Sequence, residues 1–418
     1  MKRTIFLSLV ISLMFGSCAQ QESILPTAKP EKAGLSSDRL NRIKPVMQRY
    51  VDKNKLPGLI TMVARHGKVV HFEKYGNMDE DKPMQFNTIF RIASMTKPIT
   101  SVAAMMLYEE GYFQLDDPVS KYIPEFKDLK VFSSKDQDGI HLMDQIRPMT
   151  IRDLLMHTSG LTYGLFGNTT VDSIYKTANL FEGTLKDMIQ KLAKIPLLYQ
   201  PGTRWNYSVS TDVLGYLIEV ISGKPLDVFL KERIFMPLKM IDTDFYVPKE
   251  KINRFAALYS IIPNEVPEIT DKPETSNRSR PTTFFSGGGG LVSTATDYMI
   301  FAQMMLNKGE YNGIRLLGSK TVELMTRNNI SDDLYPIAIT KREKGMGFGL
   351  GFAVMVDNNE SEILGSLGEF EWRGINNTFF WIDPTEDLIL ILMAQYSPSR
   401  YYPIHNEFKV LVYQAIVD

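Results

Sequence analysis

A serine and a lysine three positions apart, Ser94 and Lys97, begin a stretch whose apolar residues have helical spacing. Residues three apart share one face of a helix, so the pattern would hold the hydroxyl and the amine side by side. A serine becomes a strong nucleophile when a neighbouring base takes its proton, and a lysine in suitable surroundings can be that base. The pattern therefore predicts an acyl-transfer nucleophile at a helix N-terminus, where free N–H groups favour a developing negative charge. The apolar residues of the stretch, which ends at Gly111, are Ile99, Val102, Ala103, Met106 and Leu107.

The same four-residue pattern occurs a second time in the chain, from Ser173 to Lys176. This second match follows the loop-like segment 167–170, and no comparable apolar stripe begins at it. Pro98 is compatible with the first helix, because the first N–H groups of a helix have no internal partner. We therefore predict that Ser94 is catalytic and that Ser173 is an ordinary surface serine.

The charge balance excludes several classes of partner. The chain has 47 basic and 48 acidic residues, and a net charge of −1 creates no basic field for nucleic acid or an anionic membrane surface. None of the five histidines forms an H-E-x-x-H or similar ligand pair, and the chain has a single cysteine. We therefore expect no metal, no other cofactor and no nucleic-acid partner, and no protein partner is evident.

The N-terminus has the features of a targeting segment. A basic pair at positions 2 and 3 precedes the apolar run 5–15, which is too short to span a bilayer comfortably. Glycine and serine then lead to Cys18, an arrangement that resembles a bacterial lipobox, in which the cysteine is lipidated and becomes the mature N-terminus. We predict a signal peptide at 1–17 and a lipidated tether at 18–30, so the protein is expected in the periplasm or at the cell surface of a bacterial envelope. An ordinary cleaved signal with a chance cysteine is the alternative.

Segments with strand-like composition lie at both ends of the chain, and the middle is mostly helical. From about 112 to 281 the chain reads as helices and long loops. This arrangement predicts an α/β (α+β) catalytic domain over 31–418, with an α/β lobe at about 31–90 and 290–418 and an inserted, mostly helical lobe at about 91–289. A cleft between the lobes is the default place for a site. The predicted strands are Leu59–Ala64, Val69–Phe72, Phe348–Val356, Asn377–Ile382 and Leu388–Gln395.

Two further motifs follow the Ser94 motif along the chain. Tyr-Ser-Val at 207–209 precedes a helical stretch, and Trp-Arg-Gly at 372–374 precedes a predicted strand. In this order the three motifs resemble S-x-x-K, Y-x-N and K-T-G of the serine β-lactamase and penicillin-binding-protein superfamily, in particular its class C-like branch and the β-lactamase-like esterases. The resemblance covers about residues 30–418, and it implies an antiparallel sheet flanked by helices with an inserted helical lobe. Other stretches that share it are Leu115–Pro118, Leu154–Leu161 and Gly287–Ser293.

The resemblance implies a role for each motif. Ser94 would attack a carbonyl carbon and form an acyl-enzyme, while Lys97 and Tyr207 exchange the proton. A phenol gives up its proton near neutral pH only beside cationic groups, and Lys97 is such a neighbour. The backbone N–H groups of Ser94 and Ile375 would form the oxyanion hole. His157 is a tempting base, but its stretch is scaffold in this family.

The chain departs from the family pattern at two positions that meet the substrate in the family. Val209 replaces the asparagine of Y-x-N, and Trp372 replaces the lysine of K-T-G, so an amide and a cation for a substrate carboxylate are missing. In the family the amide contacts a β-lactam or peptide side chain, and the cation meets the substrate carboxylate. We predict that Val209, Trp372, Arg373 and Gly374 bind the substrate, and that the bulky tryptophan favours apolar, uncharged acyl groups. Arg373 could still supply a displaced positive charge.

These departures are typical of the β-lactamase-like esterases. The expected function is that of a secreted serine hydrolase, a carboxylesterase that acts on small uncharged esters. One alternative is a β-lactamase or a D-amino-acid peptidase that hydrolyses amides of cell-wall material. An alternative of another class is a non-catalytic envelope lipoprotein that uses the fold as a binding module, although intact Ser94, Lys97 and Tyr207 argue against it.

Overall fold

The computed structural model describes residues 25–261, 266–339 and 342–418. The predicted signal peptide and the predicted lipidation site Cys18 lie outside these residues. In chain order the strands are β1 (Gly58–Arg65), β2 (Lys68–Gly76), β3 (Phe90–Arg91), β4 (Val131–Asp136), β5 (Gly139–Met143), β6 (Leu258–Ser260), β7 (Glu268–Asp271), β8 (Val292–Ser293), β9 (Glu310–Tyr311), β10 (Ile314–Arg315), β11 (Met346–Phe348), β12 (Ala353–Met355), β13 (Phe370–Gly374), β14 (Thr378–Asp383), β15 (Leu388–Ala394) and β16 (Tyr396–Ser397).

The largest sheet has seven strands in the order β11-β12-β13-β14-β15-β1-β2, and each neighbouring pair in it is antiparallel. It joins the two ends of the chain, because β1 pairs with β15 in the register Leu59 to Ala394. Helices pack on both faces of this sheet. The predicted α/β (α+β) class, with an antiparallel sheet flanked by helices, is therefore confirmed.

Strand β15 shows how the sheet is buried on both faces. All of its residues are buried. Leu388, Leu390 and Leu392 pack in one apolar cluster with helices near the two chain termini, whereas Ile389 and Ile391 pack in a second cluster with helices from the middle of the chain. Successive side chains of a strand point to opposite faces, so one continuous apolar run serves both layers.

Two long helices, α3 (Thr96–Glu109) and α7 (Ser210–Ser222), belong to the same apolar cluster as Ile389 and Ile391 of the sheet. All residues of α3 from Thr96 to Leu107 are buried, and α7 packs against this helix. No helix in the described part of the chain is long and apolar enough to cross a bilayer. In chain order the α-helices are α1 (Ser37–Leu40), α2 (Ile43–Asp52), α3 (Thr96–Glu109), α4 (Ile151–Met156), α5 (Thr170–Thr177), α6 (Leu185–Leu192), α7 (Ser210–Ser222), α8 (Leu226–Leu230), α9 (Met236–Leu238), α10 (Ala295–Leu306), α11 (Ser319–Thr326) and α12 (Ile404–Tyr413).

One predicted strand, Phe348–Val356, is a hairpin, because β11 and β12 pair with each other across a glycine-containing turn. Gly351 in this turn has a φ of 96°, a region that favours glycine. A Cβ on Gly349 would lie 2.1 Å from the carbonyl oxygen of Met325, so the turn also approaches a neighbouring backbone closely. Apolar residues continue through the turn, and periodicity alone therefore misses it.

The predicted helical middle contains two hairpins that the sequence reading missed. Strand β4 pairs with β5, and β6 pairs with β7. Most residues of β4 and β5 are exposed, so these strands lack the apolar alternation on which strand prediction depends. Strand β6 also pairs in parallel with β16, which ties the middle of the chain to its C-terminal part.

Candidate active site

Ser94 lies in a 3₁₀ turn, Ala93–Met95, that leads directly into α3. Ala93 has a φ of 44°, which is strained for a residue with a side chain. The turn is held by the Thr96 hydroxyl, which donates to the Ala93 carbonyl oxygen at 2.7 Å, and by the Tyr298 hydroxyl, which donates to the Met95 carbonyl oxygen at 2.9 Å. Strain that persists because surrounding contacts hold it is typical of functional sites.

The structure brings the three residues of the first two motifs together. The Tyr207 hydroxyl lies 2.7 Å from Ser94 Oγ, and Lys97 Nζ lies 3.2 Å from the same oxygen. Lys97 is almost wholly buried, and its Nζ stands 4.6 Å from the centre of the Tyr207 ring. Tyr207 and Lys97 therefore both lie beside the serine oxygen, where they can exchange its proton.

Lys97 has two further partners that sequence reasoning did not identify. Its Nζ donates to the Tyr163 hydroxyl at 2.9 Å and to the Gly288 carbonyl oxygen at 2.6 Å. With Ser94 Oγ, these acceptors match the three protons of an ammonium group. Burial, and then the charges of Asp212 and Tyr207, raise the pKa of Tyr163 well above its usual range, so this phenol stays neutral.

Asp212, on α7, holds the backbone that Lys97 contacts. Its Oδ1 accepts from the Ser286 hydroxyl at 2.5 Å and from the Gly288 N–H at 3.0 Å. Burial raises the pKa of Asp212, while the charge of Lys97 acts in the opposite direction. A Cβ at Gly288 would lie 2.4 Å from Asp212 Oδ2 and 2.9 Å from the Tyr163 hydroxyl oxygen, so the close approach requires glycine.

Aromatic rings surround Tyr207 and fix its orientation. The ring centre of His157 lies 4.9 Å from that of Tyr207, and the ring centre of Trp372 lies 5.5 Å from it. Burial and then the charge of Lys97 lower the pKa of His157 well below its usual range, so the imidazole is neutral. The neighbouring Asn206 donates from its side chain to the Leu161 carbonyl oxygen at 2.8 Å, which anchors the backbone that carries Tyr207.

The third motif lies on β13, and its glycine brings the strand close to the nucleophile turn. A Cβ on Gly374 would stand 2.5 Å from the Ile92 carbonyl oxygen. Trp372 is almost wholly buried, yet it lines the cavity into which Ser94 opens. Ile375, directly after the strand, lines the same cavity.

The structure shows that the positive charge of Arg373 is not free to meet a substrate carboxylate. Arg373 lines the cavity, but its guanidinium binds Glu343 Oε1 at 2.5 Å and Glu371 Oε1 at 3.4 Å. Glu343 also binds Arg400, at 2.8 Å. The positive charge of Arg373 is therefore already matched by carboxylates of this chain.

The structure places Val209 in the core and not in the cavity wall, unlike the predicted contact with substrate. Val209 is the residue before α7, its side chain is wholly buried in the larger apolar cluster, and it is absent from the lining of the cavity. The backbone turns this position inward at the start of the helix, whereas Tyr207, two residues earlier, faces the cavity. The valine side chain is therefore part of the hydrophobic core.

The cavity in front of Ser94 has a volume of about 1130 Å³. Ser94, Tyr163 and Tyr207 form part of its wall. Apolar side chains line one part of it, namely Leu165, Phe166, Phe181, Phe284, Ile339 and Ile375. Charged side chains that line it include Arg91, Arg278, Arg280, Glu343, Arg373 and Arg400.

The second S-x-x-K match has a different environment. Ser173 lies on the exposed face of helix α5, and its hydroxyl donates to the Thr169 carbonyl oxygen at 3.1 Å. Lys176 is directed to the preceding loop, where it lies 3.5 Å from the Gly167 carbonyl oxygen. Both side chains therefore make these contacts outside the cavity that contains Ser94.

Comparison with known proteins places most of the chain in one family. The family model described as Beta-lactamase matches residues 43–414. Protein Rv1367c from Mycobacterium tuberculosis is 36% identical over 370 residues, which cover 84% of this chain and 89% of that protein. Esterase EstB from Burkholderia gladioli is 28% identical over 377 residues, which cover 84% of this chain and 89% of EstB.

A solved structure agrees with these matches. The structure of EstCE1, described as a hydrolase with promiscuous acyltransferase activity, superposes with a TM-score of 0.77 and 26% identity, and the match covers 91% of this chain and 99% of EstCE1. The resemblance seen in the three motifs is thus confirmed over most of the sequence. The protein belongs to the beta-lactamase family of serine hydrolases.

Proposed function

We propose that this protein is a serine carboxylesterase that acts on small, uncharged esters. The observation that carries the proposal is the position of Ser94, which is hydrogen-bonded to both Lys97 and Tyr207 in a cavity that Trp372 lines. Tryptophan stands where the family motif has the lysine that meets a substrate carboxylate. The similarity to EstB and EstCE1 supports an esterase.

Acylation follows from the contacts of Ser94. Its Oγ attacks the ester carbonyl carbon while its proton passes to the Tyr207 oxygen, which acts as the general base beside Lys97. The new oxyanion accepts hydrogen bonds from the N–H groups of Ser94 and Ile375. Tyr207 then gives its proton to the leaving alcohol as the ester C–O bond breaks, and the acyl group stays on Ser94.

Deacylation uses the same groups in reverse. After alcohol release, Tyr207 again acts as the general base and takes a proton from a water molecule that attacks the acyl carbonyl carbon. The bond to Ser94 Oγ breaks, and Tyr207 returns a proton to this oxygen. The products are a carboxylic acid and an alcohol, and the enzyme recovers its starting state.

Short-chain p-nitrophenyl esters are expected to react faster than anionic substrates of the family. A charge-assisted hydrogen bond to a substrate carboxylate is worth about 1.5–3 kcal/mol, or roughly 10- to 150-fold in kcat/KM. The Trp372 position lacks such a donor, and Arg373 is already paired. We therefore expect kcat/KM for p-nitrophenyl acetate to exceed that for a chromogenic cephalosporin by at least this factor.

The same assay separates the alternatives. Faster turnover of the cephalosporin, or of a D-alanyl-D-alanine peptide, would replace the esterase assignment by a lactamase or peptidase. Absence of turnover with all three substrates would favour the non-catalytic binding module. The residual hydrolysis in a Ser94→Ala preparation, purified in the same way, gives the contribution of contaminating enzymes.

We also propose that the protein is exported and anchored through a lipidated Cys18. The basic pair, the short apolar run and the position of this cysteine support the proposal. In a bacterial host, the full chain is expected to enter the detergent phase on phase separation, and Cys18→Ala is expected to stay in the aqueous phase, because several acyl chains give firm attachment. Aqueous partitioning of both proteins would exclude the anchor.

A further inference from the structure

Three charged side chains form a compact cluster in the wall of the catalytic cavity. Glu343 Oε1 accepts from an Nη of Arg373 at 2.5 Å and from an Nη of Arg400 at 2.8 Å. The side chains of Arg373 and Glu343 are only 11% and 12% exposed, and that of Arg400 is 36% exposed. One carboxylate therefore bridges two guanidinium groups in the wall of the cavity that contains Ser94.

The charge state of Glu343 follows from this arrangement. Burial acts to raise the pKa of its carboxyl, but the charges of Arg373 and then Arg400 outweigh burial, and the pKa is lowered. Glu343 is therefore ionised at neutral pH. Two guanidinium groups that converge on one carboxylate are the arrangement by which proteins recognise carboxylates of other molecules.

We propose that Glu343 determines specificity by occupying, with its own carboxylate, an anion site that Arg373 and Arg400 form in the cavity. A substrate carboxylate could use these arginines only by displacing Glu343 or by approaching its negative charge. Displacement would leave a mostly buried carboxylate without its partners, which is costly. Uncharged substrates do not meet this obstacle. The inference rests on the proposed function, because it concerns the substrates of Ser94.

Removal of the Glu343 carboxylate should open the anion site. The test compares phenyl acetate with 3-carboxyphenyl acetate, which differ by one carboxylate, on the wild type and on Glu343→Ala. We expect the ratio of kcat/KM for the anionic ester to that for the neutral ester to rise roughly 10- to 150-fold in the variant, the range for one charge-assisted hydrogen bond. An unchanged ratio would overturn the proposal.

Two controls separate this effect from a general change of charge. Glu371→Gln removes the other carboxylate near Arg373, at 3.4 Å, but Glu371 is outside the cavity lining, so the ratio should stay near that of the wild type. In the triple variant Glu343→Ala with Arg373→Met and Arg400→Met the gain should disappear. Persistence of the gain without the two arginines would overturn the proposal.

A binding measurement makes the test independent of catalysis. Sodium acetate should raise the Tm of Glu343→Ala, because acetate can take the vacated place, and sodium chloride at equal ionic strength should not. The wild type should show no such difference.

If Glu343→Ala does not fold, Glu343→Gln keeps the size and removes the charge, and an unchanged substrate ratio there would overturn the proposal. Failure of the wild type on phenyl acetate contradicts the proposed esterase, whereas absence of acetate stabilisation contradicts the anion site.

Discussion

Replacement of Ser94 by alanine is expected to lower kcat for p-nitrophenyl acetate by about 10⁴-fold or more, the scale seen when a serine hydrolase loses its nucleophile. Ser94 Oγ is the atom on which the Tyr207 hydroxyl and Lys97 Nζ converge, at 2.7 and 3.2 Å. Alanine removes this oxygen and leaves the partly exposed turn otherwise intact. Steady-state kinetics and covalent labelling with a fluorophosphonate measure the loss.

Ser173→Ala is the matched control, because Ser173 begins the second S-x-x-K of the chain. Ser173 is exposed and its hydroxyl donates to a backbone carbonyl oxygen, so the variant should keep activity within about twofold and should still be labelled, with only a small change in stability. Peptide mapping should place the fluorophosphonate adduct on the peptide that contains Ser94. Equal losses in the two variants, or full activity of Ser94→Ala, would contradict the assignment.

The residues that the sequence could predict lie in short motifs whose spacing carries the chemistry. Ser94 and Lys97 are three positions apart at a helix start, so the contact between them follows from helix geometry. Strands β1 and β15 were predictable because both are mostly apolar, whereas the antiparallel arrangement of the sheet came from the family resemblance. Tyr207 is 113 positions from Ser94, and only the family motif pointed to it.

The partners of Lys97 were beyond sequence reasoning because they depend on contacts between distant segments. Tyr163 is 66 positions away and Gly288 is 191 positions away, and neither stands in a local pattern that indicates a contact. Asp212 reads simply as a polar residue early in an apolar helix. Its role in holding Gly288 becomes visible only when α7 and the glycine-rich loop are placed together.

Two motif positions show that residue type does not reveal orientation. Val209 replaces a family asparagine, but it is buried in the core, so Val209→Asn would bury an amide rather than offer one to a substrate. Arg373 has the charge that a carboxylate site needs, but Glu343 already holds it. Specificity therefore depends on which side chains reach the cavity and on which are already paired there.

Tyr207→Phe should cause the second large loss, about 10²- to 10⁴-fold in kcat, which is the usual contribution of a positioned acid–base group. Phenylalanine keeps the ring that packs 4.9 Å from His157 and 5.5 Å from Trp372, so the fold should be preserved. It removes the hydroxyl that lies 2.7 Å from Ser94 Oγ. Acylation and deacylation both need this group, so single-turnover acylation and the later release of acid should both slow.

Tyr163→Phe is the comparison that isolates the role of Tyr207. Both rings lie near Lys97 Nζ, but the Tyr163 hydroxyl bonds this nitrogen at 2.9 Å, whereas the Tyr207 hydroxyl bonds Ser94. The raised pKa of Tyr163 keeps its phenol neutral, so its loss should weaken the positioning of Lys97 without removing the proton carrier. We expect a loss of about tenfold, clearly smaller than that of Tyr207→Phe, with thermal unfolding confirming that both variants fold. A larger loss in Tyr163→Phe would mean that Tyr163 carries the proton, and the acid–base role would pass from Tyr207 to it.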